Sequence, residues 1–197
     1  MKNTTKDYIL IGDNISNFFG IAMNTLWITF ILSMGMNVYQ FVNVAQTVLG
    51  LATATFILAK SDKIIRWAYS HYRSFLVIEG VTTAIAAVLT ATTGSVLVII
   101  IISLAMTPFG KIQRMSNNRL MKESFTPDER ERHDNKDSTI GQYIQLAGLG
   151  VGFVANMFIA PHIGVTISLV GEVINNFFYW KQYNLAQARK KEERDAA

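Results

Sequence analysis

All 18 lysines and arginines of this 197-residue chain lie on one side of a series of long apolar runs. Six runs reach about 20 residues, the length with which a helix crosses roughly 30 Å of hydrocarbon. They are residues 14–35, 38–59, 74–92, 96–112, 139–158 and 163–179. Every basic residue lies before the first run, between the second and the third, at or after the end of the fourth, or after the sixth. By the positive-inside bias, both termini lie in the cytoplasm and three short hairpins face outward.

The composition agrees with an integral membrane protein, since 50% of the residues are hydrophobic and only 16% are charged. Lipid requires each spanning segment to satisfy its own backbone donors and acceptors, which favours helices. We therefore expect an all-α, multi-pass protein of the inner cell membrane. The predicted organisation comprises a cytoplasmic N-terminus (1–13), four spans (14–110), a charged cytoplasmic loop (111–138), two further spans (139–181) and a cytoplasmic tail (182–197).

Enzymatic and metal chemistry are disfavoured by the residue inventory. The chain has no cysteine and three histidines, and it lacks a nucleophile elbow or a phosphate-binding glycine loop. We expect no metal, no cofactor and no enzymatic activity. His133, beside Asp134, is interpreted as half of a solvated loop pair. The net charge of +4 is explained by bases at the membrane surface and does not indicate a nucleic-acid partner.

Polar side chains within the spans indicate where function resides, because each is costly in lipid unless it faces protein or water. Gln40 and Asn43 lie on one polar face of the second span, and Asn17 and Asn24 lie seven residues apart in the first. With Gln145 of the fifth span, they form the predicted substrate cavity. Such residues also serve helix packing, and for the second span the two readings are equally favoured.

Small residues recur on one face of the fifth span, at Gly141, Gly148 and Gly152. Small residues four apart let another helix backbone approach closely. For this face we favour helix packing over a pore lining.

Two carboxylates within the spans are candidate coupling groups for protons or another cation. Glu172 shares one helix face with Ser168, Asn175 and Tyr179, and Glu79 lies near the cytoplasmic end of the third span. Intramembrane ionisable residues are functional by default. The alternatives are a structural hydrogen bond for Glu172 and snorkelling to the interface for Glu79.

The six spans divide into two triplets that start on opposite sides of the membrane, as a 3+3 inverted repeat requires. The third and sixth spans each contain a lone glutamate, in residues 77–80 and 170–173.

Two segments resemble the major facilitator superfamily of transporters. Residues 60–66, Lys-Ser-Asp-Lys-Ile-Ile-Arg, are similar to the acidic-basic turn between that superfamily's second and third helices. Residues 118–130 resemble the end of its fourth helix and the following loop, and Gly148 and Gly152 stand where its fifth helix has glycines. The resemblance covers half of the superfamily's usual twelve helices, so it implies a six-helix half-transporter.

The resemblance implies a parallel homodimer that moves a small solute by alternating access. Its central cavity would be lined by the first, second, fourth and fifth spans, with the third and sixth at the periphery. Asp62, Lys63 and Arg66 would form a cytoplasmic charge latch, and Pro108 would act as a hinge in the fourth span.

A second class of function is a membrane anchor or interaction protein without transport, such as an immunity, regulatory or assembly subunit. It would dock its partner through the long cytoplasmic loop, and its activity would depend on residues 119–137.

Overall fold

The computed structural model describes residues 7–33, 35–93 and 96–195, and within these ranges the protein is all-helical. The predicted all-α fold is confirmed. The helices are α1 (Tyr8–Ser33), α2 (Met36–Ser70), α3 (Tyr72–Thr93), α4 (Val96–Ser124), α5 (Pro127–Phe158) and α6 (Pro161–Asp195).

Several helices extend well beyond the apolar runs, which corrects the predicted boundaries. α1 begins within the expected N-terminal segment, and α2 continues through the segment expected to be a turn. The loop expected at 111–138 is helical except for residues 125–126, and the tail is helical to Asp195. The apolar pattern ends in these segments, but neither 60–70, 111–124 nor 182–195 contains a glycine or proline that would stop a helix.

The reversal between α4 and α5 is specified by a capping box. The Thr126 hydroxyl accepts a hydrogen bond from the Glu129 amide at 3.3 Å, and the Glu129 carboxylate accepts one from the Thr126 amide at 3.0 Å. Pro127 occupies the first turn, where its missing N–H removes no helical bond. These residues start a new helix and leave a link of two residues.

The turn between α1 and α2 depends on Gly35, whose φ of 114° favours glycine. It was expected at Met36 and Asn37, which instead begin α2. Gly94 and Ser95, in the turn expected after the third span, lie outside the described residues.

α1 packs between α5 and α6 through glycines on both neighbours. A Cβ at Gly152 of α5 would lie 2.4 Å from the Ala22 carbonyl oxygen, and one at Gly148 would lie 3.2 Å from the Ile21 side chain. On the other side, a Cβ at Gly171 of α6 would lie 2.9 Å from Phe19 Cβ. The packing role of Gly148 and Gly152 is confirmed, whereas a Cβ at Gly141 would meet no atom within 4 Å.

The other main contacts join α6 to α3 and α2 to α4, and α6 also touches α4. α6 therefore lies inside the bundle and not at the periphery that the resemblance implies.

The largest buried cluster lies at the end of the bundle where the start of α1, the second half of α6 and the α2–α3 and α4–α5 links meet. We call this the basic end. Tyr69, Tyr72 and Tyr183 form its centre, with ring centroids 5.1–5.8 Å apart. A smaller cluster at the opposite end contains Ala22, Met23 and Ala155.

The outward faces of several helices are apolar, whereas polar groups lie inside. Buried polar residues include Glu79, Asn176 and Gln182. Large exposed hydrophobic residues recur along α2, α3 and α5. They include Phe41, Val44, Val48 and Leu51, then Val77, Val81, Ile85 and Val88, then Leu146, Leu149, Phe153 and Met157.

In the part of the chain that the structure describes, one helix, Tyr72–Thr93, is long and apolar enough to cross a membrane by length and composition.

Replacing Gly152 by alanine is expected to destabilise the bundle, because the new Cβ would meet the α1 backbone, which cannot rotate away. Overpacking of this kind costs about 1–3 kcal/mol. Gly150→Ala is the matched control on the same helix, since a Cβ there meets nothing within 4 Å. Thermal unfolding in detergent should show a lower Tm for Gly152→Ala and an unchanged or higher Tm for Gly150→Ala. Equal Tm values for the two variants would contradict this packing.

Candidate functional site

A polar cavity of about 530 Å³ lies between α1, α4 and α6, with one residue contributed by α5. Carboxylates, amides and hydroxyls dominate its walls. The polar lining residues are Asp13, Ser16 and Asn17 of α1, Gln113, Arg114, Asn117 and Asn118 of α4, Asp137 of α5, and Glu172, Asn175 and Tyr179 of α6. The volume is within the range of small-molecule sites.

The contact between α1 and α6 holds Asp13 at the cavity wall. The Tyr179 hydroxyl lies 2.9 and 3.0 Å from the two Asp13 carboxylate oxygens, and Asn175 Nδ2 donates to Oδ1 at 3.4 Å. Tyr179 is buried, so its hydroxyl needs this acceptor. Gly12 permits the close approach, because a Cβ there would lie 2.5 Å from Asn175 Oδ1.

Glu172 lies on the same wall and is exposed toward the cavity. The Ser16 hydroxyl donates to Glu172 Oε1 at 2.7 Å. The predicted face of α6 is thus confirmed for Glu172, Asn175 and Tyr179, which all line the cavity. Both readings of Glu172 remain open, since it has a structural hydrogen bond and also faces a space for solute or water.

Glu79 is buried behind the cavity and does not snorkel, so that alternative is wrong. Its side chain is 9% exposed and hydrogen-bonds with Gln113 and Asn176. Gln113 Nε2 also donates to Asn176 Oδ1 at 2.8 Å. Glu79 Oε2 is buried without a hydrogen-bond partner among the described residues. Because Gln113 lines the cavity, the Glu79 carboxylate is separated from that space by one side chain.

Four predicted cavity residues do not line this cavity. Asn17 lines the cavity. The other four lie at exposed positions elsewhere on the helices, and they are Asn24, Gln40, Asn43 and Gln145. A cavity shared by two copies stays a prediction, since one copy is described here.

The residues of the predicted latch and hinge lie within helices. Lys63 and Arg66 are exposed on α2, and the side chain of Asp62 lies outside the described part of the structure. Pro108 lies inside α4. Their roles stay predictions.

Sequence reasoning missed Asp13, Gln113, Asn117 and Asp137. All four were assigned to segments flanking the apolar runs, where a polar residue needs no explanation. One signal was available, because Asp13 and Asn17 are four residues apart, as are Gln113 and Asn117. In a helix that continues past its apolar run, this spacing places each pair on one face.

A charged cluster joins α2, α4 and α6 at the basic end. Glu123 accepts hydrogen bonds from the Tyr69 hydroxyl at 2.6 Å, from Arg119 Nε at 3.1 Å and from Lys190 Nζ. Although burial raises the pKa of Glu123, the hydrogen bonds from Lys190, Tyr69 and Arg119 hold that pKa below its ordinary value.

His133 anchors the start of α1 to α5. Its Nδ1 lies 2.7 Å from Asp7 Oδ2, and the other Asp7 oxygen accepts from the Leu10 amide at 3.0 Å, capping α1. His133 is 5% exposed and stacks on Phe125, so the predicted solvated pair with Asp134 is wrong. Although burial lowers the pKa of His133, the Asp7 hydrogen bond and nearby carboxylates raise it above its ordinary value.

Comparisons with protein-family models, with curated proteins and with solved structures give no match. Within the described ranges, no group of three or more histidine, aspartate or glutamate residues is arranged to hold a metal ion.

The His133–Asp7 pair predicts a pH-dependent stability. Because folding raises the His133 pKa above 6.5, the pair stabilises the protein fully below that pH and loses its effect as pH rises through the folded-state pKa. Asp7→Asn removes the charge but keeps an oxygen to cap α1. We expect it to cost about 1.5–3 kcal/mol at pH 5.5, the range for hydrogen bonds to charged groups, and less at pH 8.5.

The matched control is Asp134→Asn, since Asp134 is exposed and adjacent to His133 in sequence. Chemical unfolding at both pH values should show a small effect for Asp134→Asn. A loss for Asp7→Asn that is the same at pH 5.5 and 8.5 would contradict a charged pair.

Proposed function

We propose that this protein is a six-helix half-transporter of the inner cell membrane, with both termini in the cytoplasm. Two parallel copies would move a small solute by alternating access, coupled to protons or another cation. The observation that carries the proposal is a polar cavity walled by α1, α4 and α6 within a bundle whose outward faces are apolar.

The exposed apolar residues of α2, α3 and α5 support a lipid environment. Large contiguous apolar surfaces are rare on soluble monomers and mark contacts with membranes or proteins. The basic residues support the orientation, because the ends of α2, α4 and α6 that carry them meet at the basic end.

The helix pairing supports an inverted repeat. If α1, α2 and α3 correspond to α4, α5 and α6, the contact of α1 with α5 corresponds to that of α4 with α2. Both contacts are present, and the α3–α6 contact lies on the expected axis of symmetry. The extensive α1–α6 contact has only a small counterpart between α4 and α3, so the two halves differ there.

The homodimer is supported by polar groups on the outer face of α2. Gln40, Asn43 and Thr47 are exposed there among large apolar residues. Amides that face lipid are costly, and a second copy packed on this face would cover them. In this arrangement Gln40 and Asn43 lie between the copies, where the shared cavity is predicted.

Glu172 and Glu79 are the coupling groups of this proposal. Glu172 reaches the cavity directly, and Glu79 reaches it through Gln113. Pro108 lies five residues before Gln113 on α4, so bending there would move one wall of the cavity.

A docking function remains the alternative, and one surface feature favours it. A cleft of about 450 Å³ lies at the α4–α5 reversal, lined by Lys122, Phe125, Pro127, Arg130 and neighbouring residues. An anchor protein would use this cleft, and substitutions within 119–137 would abolish its activity.

The topology can be tested by single-cysteine labelling, because the chain has no native cysteine to remove. Cysteines at Arg66, Arg119 and Lys190 should resist a membrane-impermeant maleimide added to intact cells and react after lysis. A cysteine at Ala160 should react from outside. Labelling of residue 66, 119 or 190 in intact cells would contradict the orientation.

Transport can be tested in proteoliposomes with solid-supported-membrane electrophysiology and a panel of amino acids, sugars and amines. We expect a solute-evoked current that Glu172→Gln reduces at least tenfold. Glu193→Gln, an exposed carboxylate on the same helix, should leave it unchanged. No current with any solute, combined with loss of a cellular phenotype on substitution of Arg130, would favour the docking alternative.

A further inference from the structure

A shallow groove of about 190 Å³ runs between α3 and α6 on the outside of the bundle. Side chains of both helices line it, from Gly80 and Val173 at one end to Trp180 at the other. Val77 and Phe177 form its walls and are half-exposed or more. A Cβ at Gly80 would meet no atom within 4 Å, so the missing side chain leaves the groove open.

The floor of the groove is apolar. Its one polar lining residue is Asn176, which is 6% exposed. The Asn176 amide oxygen accepts a hydrogen bond from Gln113 at 2.8 Å, and its side chain also hydrogen-bonds with Glu79. Neither of these partners lines the groove. The groove therefore suits an occupant that is apolar where it lies between the two helices.

Two bases lie beside the groove, where it approaches the basic end. Arg73 is one turn before Leu76 on α3, and its guanidinium carbon lies 5.8 Å from the centroid of the Tyr183 ring. Lys181 Nζ lies 4.5 Å from the centroid of the Phe177 ring, which is a wall of the groove. Among the described side chains, no carboxylate forms an ion pair with either base. The ring contacts place two positive charges where they complement an anion at the mouth of the groove.

The groove crosses the boundary of two predicted spans. Arg73 immediately precedes the third apolar run, and Lys181 is two residues beyond the sixth. Gly80 and Val173 each lie six residues inside their runs. At 1.5 Å per residue, this end of the groove is about 9 Å deep. Trp180 stands at the boundary, where tryptophan is enriched in membrane proteins. The order of basic, aromatic and apolar groups along the groove matches the order of groups along a phospholipid.

We propose that the groove between α3 and α6 binds an anionic glycerophospholipid of the cytoplasmic leaflet. One acyl chain lies in the groove over Gly80, and the phosphate lies at Arg73 and Lys181, whose N–H groups donate to its oxygens. Basic sites between membrane helices on the cytoplasmic side bind anionic headgroups by the same chemistry. The inference rests on the membrane location in the proposed function and is independent of transport.

The test is native mass spectrometry of the full-length protein in detergent, titrated with phosphatidylglycerol and phosphatidylcholine of identical acyl chains. The first lipid is anionic and the second is zwitterionic. Since each base near a membrane surface adds about fivefold in affinity, we expect phosphatidylglycerol to bind at least about tenfold more tightly. Glycerol 3-phosphate, which has the phosphate without the chains, should not displace it. Equal affinity for the two lipids overturns the proposal, as does displacement by equimolar glycerol 3-phosphate.

Two substitutions should have different effects, which loss of folding cannot imitate. Gly80→Leu fills the groove without a clash and should weaken the binding of both lipids at least about tenfold. Arg73→Gln removes a charge and should weaken phosphatidylglycerol binding about fivefold, with phosphatidylcholine binding unchanged. Unchanged binding of phosphatidylglycerol in both variants overturns the proposal.

The chain offers a matched control for each substitution. Gly150 is another open glycine, at an apolar cleft of α5, and Lys136 is an exposed base of the same helix. Gly150→Leu and Lys136→Gln should both bind phosphatidylglycerol like the unchanged protein. A loss in Lys136→Gln equal to that in Arg73→Gln would show a general effect of surface charge and overturns the proposal.

The same spectra detect the other occupant of such a groove, a second copy of this chain. A shift from dimer to monomer in Gly80→Leu, without loss of bound lipid, overturns the lipid site. The outcomes also separate this inference from transport. Lipid binding with these effects but without a solute-evoked current supports the lipid site and contradicts transport, whereas a current without lipid preference contradicts the lipid site alone.

Discussion

The close approach of α1 to two neighbours is the constraint on which the rest of the bundle depends. Gly148 and Gly152 bring α5 against one side of α1, and Gly171 brings α6 against another. In the proposed membrane environment there is no hydrophobic force between helices, so association would rely on backbone proximity and on contacts between polar groups. Side chains at these glycines would push α5 and α6 outward and open the centre of the bundle.

The same approach creates the polar site. Gly12 lies one residue before Asp13, and its lack of a Cβ lets α6 come near enough for Asn175 and Tyr179 to reach the Asp13 carboxylate. Ser16 then meets Glu172 one turn further along. A polar face on α1 and another on α6 are thus held together by packing, which leaves α4 to close the cavity.

Much of the helical architecture could be predicted from the sequence, because long apolar runs separated by short polar breaks indicate helices and the links between them. Helix ends could not be predicted this way. Hydropathy indicates whether a segment is apolar, but it does not indicate where the backbone stops being helical. The capping box formed by Thr126 and Glu129 could have been recognised in the sequence, and it would have shortened the expected loop at 111–138. Partners distant in sequence, such as Asp7 and His133, were not readable, because no local pattern encodes a contact over 126 residues. For the site, Asn17 and Glu172 were found because they interrupt apolar runs, whereas Asp13 and Asp137 lie just outside those runs.

The position of the cavity relative to the apolar runs shows how deep its carboxylates lie in the bundle. Asp13, Gln113 and Asp137 lie within two residues of a run boundary, whereas Glu172 lies seven residues inside the sixth run. At 1.5 Å per residue, Glu172 is about 10 Å deep. The cavity therefore extends inward from the basic end of the bundle. Since Gln113 and Asn117 follow Pro108 on α4, a bend at that proline would displace the wall that separates Glu79 from the cavity. One motion would then change both the cavity and the exposure of the deeper carboxylate, as the proposed coupled transport requires.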